Sequence, residues 1–194
     1  MQRRIHIGAG FLLMLSLFYF LDDNGMFTAL ALSAVIHELG HFLGIVFMGS
    51  KITGLRLELT GAAINYNNTK VSYLGEAVVA FLGPFFGLIF AFIAAAFSEN
   101  HEDLLLISGM SFYLSLLNLL PARNLDGGRI LVSLLSWLKN EYFAERVVIV
   151  SSCLTSFAML VLGSYILIVT RGNFTFLMVG IWLLFDFART SRKI

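Results

Sequence analysis

The sequence predicts an all-α polytopic membrane protein with about six transmembrane helices and a small β-hairpin on its cytoplasmic face. Three observations predict it. The 194 residues are 58% hydrophobic and only 13% charged, where a soluble domain carries roughly 25% charged residues. The apolar residues are gathered into runs near the length of about 20 residues that a helix needs to cross hydrocarbon. Between the second and third runs the pattern switches to an alternation of period two, the signature of a strand. Mean hydropathy is +0.85. No polar stretch is long enough to build a separate soluble domain, so residues 1–194 read as one membrane-embedded domain. The lone cysteine, Cys153, excludes an intramolecular disulfide and reads as a small packing residue.

The elements follow in order. Arg3-Arg4 precedes an apolar run over 5–21 that could open a secretory signal peptide. The nearest small-x-small site, Ala29-Leu30-Ala31, lies inside the next apolar run, so an uncleaved first span is expected. Asp22-Asp23-Asn24-Gly25 is a polar turn, and further spans are expected over 26–48, 74–97, 104–120, 146–170 and 174–188. Six spans place both termini on one side. Of the 13 Lys and Arg residues, all but Arg171 then fall on that side. By the positive-inside bias this face is cytoplasmic. Residues 55–60 alternate apolar and polar, Gly61 follows, and a second alternation runs through Ile64 and Tyr66. This predicts a hairpin over 52–66. Gly40-x-x-x-Gly44 and Gly83-x-x-x-Gly87 place small residues on single helix faces, as close packing of membrane helices requires.

One motif stands out inside the second span, His37-Glu38-Leu39-Gly40-His41. Residues four apart share a helix face, so His37 and His41 aim two imidazoles at one point. Two such nitrogens suit zinc, and Glu38 is placed to take a proton from metal-bound water. A mere packing accident would have to explain three ionisable residues at membrane depth, each costing about 2.5 kcal/mol or more.

A catalytic zinc normally has three protein ligands and a water. His41 lies seven residues before Met48, about 10 Å from the cytoplasmic end of its span at 1.5 Å per residue. The fourth span ends on the same side at Asn118-Leu119-Leu120-Pro121, followed by Asn124-Leu125-Asp126-Gly127-Gly128. Pro121 ends or kinks the helix and the paired glycines permit a turn. Asp126 is therefore the preferred third ligand, on a bent segment that folds back into the bilayer. Glu76 starts the third span and reads as interfacial, Asp186 reads as snorkelling or paired, and His6 and His101 lie at or beyond the membrane boundary.

These residues resemble the site-2 protease family of intramembrane zinc metalloproteases, and within it the bacterial branch that processes a sporulation factor. The resemblance is carried by His37-Glu38-Leu39-Gly40-His41, Gly83-Pro84, Asn118-Leu119-Leu120-Pro121 and Leu125-Asp126-Gly127-Gly128-Arg129. Together with the six-span plan it covers about residues 5 to 190. It implies one Zn2+ per chain held by His37, His41 and Asp126, Glu38 as catalytic base, and Asn118 assisting the substrate or the oxyanion. It also implies the lipid bilayer of a bacterial cytoplasmic membrane as setting, and membrane-protein substrates with a transmembrane or membrane-proximal segment. No nucleic-acid partner is expected, and no regulatory partner is legible. Two departures stand beside it. The family often has prolines between Pro121 and Leu125, where this chain has Ala122-Arg123-Asn124, and the chain stops soon after the sixth span without a regulatory domain.

Two other classes compete. A membrane metal or ion transporter using the same ligands would show internal symmetry and polar residues along a path. No repeat is present, and the strong polar candidates gather at one depth. A proteolytically inactive scaffold would be favoured by loss of Glu38 or Asp126, and both are present.

Overall fold

A computed structural model describes residues 4–9, 12, 13, 16, 20, 22, 24–58, 61–66 and 71–191. The chain divides into two compact units, Met1–Asn118 and Leu119–Ile194.

In the first unit, α1 spans Met26–Phe47. It starts at Gly25, whose φ of 69° is a left-handed turn that favours glycine. It ends in the same way at Gly49, also at φ 69°. There the Gly49 N–H donates to the Val46 carbonyl and the Ser50 N–H to the Ile45 carbonyl, so the last carbonyls of the helix are satisfied. Helix α2 spans Tyr73–Ala96, capped by the Ser72 hydroxyl, which accepts from the Gly75 N–H. Helix α3 covers Glu102–Asn118.

Small residues set how these three helices pack. A Cβ at Gly40 would collide with the Leu82 backbone, and one at Gly44 would press on Val79. A Cβ at Gly87 would strike the Ser115 hydroxyl. The two glycine pairs thus serve close approach, α1 on α2 and α2 on α3, as small residues do where lipid offers no hydrophobic drive. Between α1 and α3 the buried hydroxyls of Ser33 and Ser111 lie 2.7 Å apart. Large apolar side chains such as Phe92 and Phe47 remain 68% and 86% exposed, which suits a lipid-facing surface.

The hairpin is present, with β2 over Ile52–Glu58 and β3 over Gly61–Tyr66. They pair antiparallel, Leu55 opposite Ile64 and Glu58 opposite Gly61, with an irregularity between Ile52 and Gly54. A further strand, β1 over Arg4–Ile7, pairs parallel with β2, Arg4 opposite Gly54 and Ile7 opposite Leu57. Two expectations are corrected here. The first span does not start at Ile5, because that stretch is strand, and most of its remainder lies outside the described residues. Among the described residues the sheet has three strands in the order β1-β2-β3, so β2 is the middle strand and β1 and β3 flank it.

In the second unit, α4 spans Asp126–Leu138, α5 Glu141–Thr170 and α6 Thr175–Ser191. The helix α4 differs from the sequence expectation. The segment after Pro121 reads as a bent loop, but 13 residues from Asp126 are helical. Helix α5 begins five residues before the expected Arg146, capped by Asn140, whose side chain accepts from the Phe143 N–H at 2.8 Å. It ends at Arg171 in a left-handed turn, φ 53°. A Cβ at Gly163 would meet Leu177, and one at Gly180 would meet Leu160, so α5 and α6 pack antiparallel through their glycines.

Among the described residues three helices, α1, α2 and α5, are long and apolar enough to cross a membrane. Helix α3 has 17 residues, and the apolar part of α6 is Thr175–Phe185. The full count of six spans therefore stays an expectation.

Candidate metal centre

The centre is built first on α1. His37 and His41 share its buried face, as the four-residue spacing requires, and their rings meet edge to face at 4.9 Å and 81°. Their Nε2 atoms are 3.2 Å apart. The His41 Nδ1 lies 2.9 Å from the Val79 carbonyl on α2. A carbonyl oxygen only accepts, so Nδ1 carries the hydrogen and Nε2 faces His37. Two nitrogens bound to one tetrahedral zinc at about 2.0–2.1 Å stand roughly 3.3–3.4 Å from each other. The observed separation of 3.2 Å is close to that value.

Position 83 decides whether His41 has room. A Cβ on Gly83 would occupy the space of the His41 imidazole. The next residue, Pro84, lacks an N–H and leaves the carbonyl four residues earlier without its helical donor. Gly83-Pro84 is thus where α2 is thin enough for an imidazole to lie against its backbone. Glu38 is half-buried, one residue on from His37.

In the second unit Asp126 opens α4 and is 5% exposed. Arg129, one turn on, donates to its Oδ1 at 3.2 Å. The following glycines are required by packing. A Cβ at Gly127 would collide with the Leu119 carbonyl and one at Gly128 with the Ala122 carbonyl. His37 and His41 in the first unit and Asp126 in the second are each buried and each offers one ligand atom. Two imidazoles and a carboxylate are a donor set that zinc accepts.

Asn118 is the last residue of α3, and its amide donates to the Leu114 carbonyl at 3.0 Å. Among the other residues weighed from the sequence, Glu76 accepts from the Tyr66 hydroxyl at 2.5 Å, tying β3 to α2. Asp186 lies on α6, His6 on β1, and His101 between the 3-10 turn at Ser98–Asn100 and α3.

Comparison with known proteins bears on this geometry. The profile of peptidase family M50 matches residues 101–162, the stretch that carries Asn118, Asp126 and Arg129. The solved site-2 protease of Methanocaldococcus jannaschii superposes with a TM-score of 0.70 at 25% identity, covering 95% of this chain and 89% of that one. By these matches the chain is similar to the site-2 proteases of family M50. A zinc metalloprotease of the same archaeon is 30% identical over 133 residues, 63% of this chain. The match spans 39% of the length of that relative.

Three contributors are not legible in the sequence alone, namely the Val79 carbonyl, the space at Gly83 and the Arg129 guanidinium. Gly83-Pro84 was legible as a motif, though not as room for His41. Arg129 sits three residues from Asp126, a spacing that signals contact only once the segment is known to be helical.

Proposed function

We propose that this chain is a zinc-dependent metalloendopeptidase that hydrolyses peptide bonds within or near transmembrane segments of membrane-protein substrates. The observation that carries the reading is the His41 ring. Its Nδ1 donates to the Val79 carbonyl and its Nε2 lies 3.2 Å from the His37 Nε2, a separation that suits two nitrogens on one metal. In this reading His37, His41 and Asp126 are the protein ligands. A bound zinc ion supplies Lewis acidity, acidifying water and polarising a carbonyl.

The remaining roles belong to side chains. Glu38 takes the proton of the attacking water and later delivers it to the leaving amine. The Asn118 amide spends one hydrogen on Leu114. Its second is left for the oxygen on which charge develops. Substrate helices hide their carbonyls in internal hydrogen bonds that hydrocarbon protects, so cleavage requires local unwinding. An unwound segment would add as a strand at an outer edge of the sheet. The bias of basic residues supports a multi-pass arrangement in a bacterial cytoplasmic membrane with both termini cytoplasmic.

The test is co-expression with candidate single-span proteins, comparing the parent and Glu38→Gln by immunoblot. A shortened product made by the parent and absent with Glu38→Gln supports the reading. Equal processing by both overturns it.

A further inference from the structure

The loop that precedes Asp126 is clasped to α5 at three places. The Ser151 hydroxyl donates to the Pro121 carbonyl at 2.8 Å. The Arg123 N–H donates to the Ser152 hydroxyl at 2.9 Å, and that hydroxyl itself donates to the Val148 carbonyl. The Arg123 guanidinium forms a fork with the Glu145 carboxylate, its Nη2 at 3.0 Å from Oε1 and its Nη1 on Oε2. Glu145 and Ser152 lie seven residues apart, so one face of α5 presents both. That face is anchored in the core, since Ala144 and Val148 are fully buried.

The clasp transmits to Asp126 through backbone packing. Gly128 lies so close on the Ala122 carbonyl that no Cβ fits between them, and the Leu125 N–H donates to the same carbonyl at 2.9 Å. Ala122, beside Arg123, is 3% exposed. A shift of Arg123 therefore has no slack in which to dissipate before it reaches the first turn of α4.

We propose that Arg123 and Glu145 are positioning residues that set the pose of the Asp126 carboxylate, so that α5 helps to define the metal centre. This rests on the reading of Asp126 as a zinc ligand and deepens it. Bidentate pairing matters here because a guanidinium fork fixes direction as well as distance. Groups hydrogen-bonded directly to a metal ligand commonly change metal affinity by about 10–100-fold, and Arg123 and Glu145 act one contact further out, so the low end of that range is expected.

The test uses the full chain in detergent, with Arg123→Glu, Glu145→Arg, the double exchange, Ser152→Ala and Asp126→Ala. Zinc affinity is read by competition with a chromophoric chelator, and ligand geometry by the visible absorption of the Co2+-substituted protein. The inference expects each single charge reversal to weaken zinc binding about tenfold and to alter the Co2+ spectrum. Ser152→Ala should do so more mildly, and the double exchange should restore both. Parental affinity and spectrum in the single variants overturn the inference, as does a double exchange no better than the singles or unable to fold. If the parent binds no zinc, the proposed function falls and this inference with it. If Asp126→Ala loses zinc while Arg123→Glu keeps it, this inference alone falls.

Discussion

His41 donates through Nδ1 to the main-chain carbonyl of Val79, 2.9 Å away on the neighbouring helix. That single bond sets the tautomer, turns Nε2 towards His37 and fixes the ring against Gly83. Because the acceptor is backbone, no side-chain substitution at Val79 removes it. The vulnerable position is the glycine.

Gly83→Ala should therefore displace the His41 ring. Overpacking of this kind costs typically about 1–3 kcal/mol, a loss the three mutually packed helices should survive. Zinc affinity should fall while the helical circular dichroism signal persists. Zinc content and affinity equal to the parent's would show that the imidazole has room elsewhere.

Asp126→Ala should weaken zinc binding by more than about 100-fold, because a bound donor is lost and not merely reoriented. The helices should persist, since the helix-packing contacts at Gly40, Gly44, Gly87, Gly163 and Gly180 do not involve Asp126. Metal analysis of the purified variant checks this, and full zinc with full cleavage would remove Asp126 from the site.

Glu38→Gln should keep zinc and lose cleavage. The amide preserves shape and cannot accept the proton, a step worth roughly 10²–10⁴-fold in rate. Turnover at the parental rate in a reconstituted assay would assign the proton to another group.

Tyr66→Phe should loosen the hairpin without touching the metal. The Tyr66 hydroxyl donates to Glu76 at 2.5 Å and joins the end of β3 to the first turn of α2. Limited proteolysis should cut residues 52–66 faster in the variant, with zinc content unchanged. Identical digestion would mean that the sheet is held by its strand pairing alone.

Leu57→Pro carries a different meaning now that β2 is the middle strand. Leu57 pairs with Ile7 on one side and Ala62 on the other. A proline there removes a backbone donor from the centre of the sheet, where it is least tolerated. It should disrupt the whole sheet and impair cleavage of a helical substrate more than it impairs zinc binding. Measuring both in one detergent preparation decides it. Unchanged cleavage would argue against strand addition by the substrate.

The sequence by itself determined whatever depends on local periodicity and side-chain chemistry. The four-residue spacing of His37 and His41 on an apolar run yields a buried pair on one helix face, and alternation over 52–66 yields a hairpin. The small-residue spacing of Gly40 and Gly44 yields close packing. These follow because a helix or strand repeats every few residues and the pattern is written within it. Tertiary structure alone decided what depends on partners distant in the chain. Arg4–Ile7 is too short to announce itself and is a strand because Gly54–Leu57 lies beside it. The tautomer of His41 depends on a carbonyl, and every residue has one, so no residue type at position 79 could signal it. The helix starting at Asp126 depends on Gly127 and Gly128 fitting against the Leu119 and Ala122 carbonyls. From sequence, paired glycines read as a turn, because their backbone freedom is visible there and the absent Cβ that makes the fit possible is not.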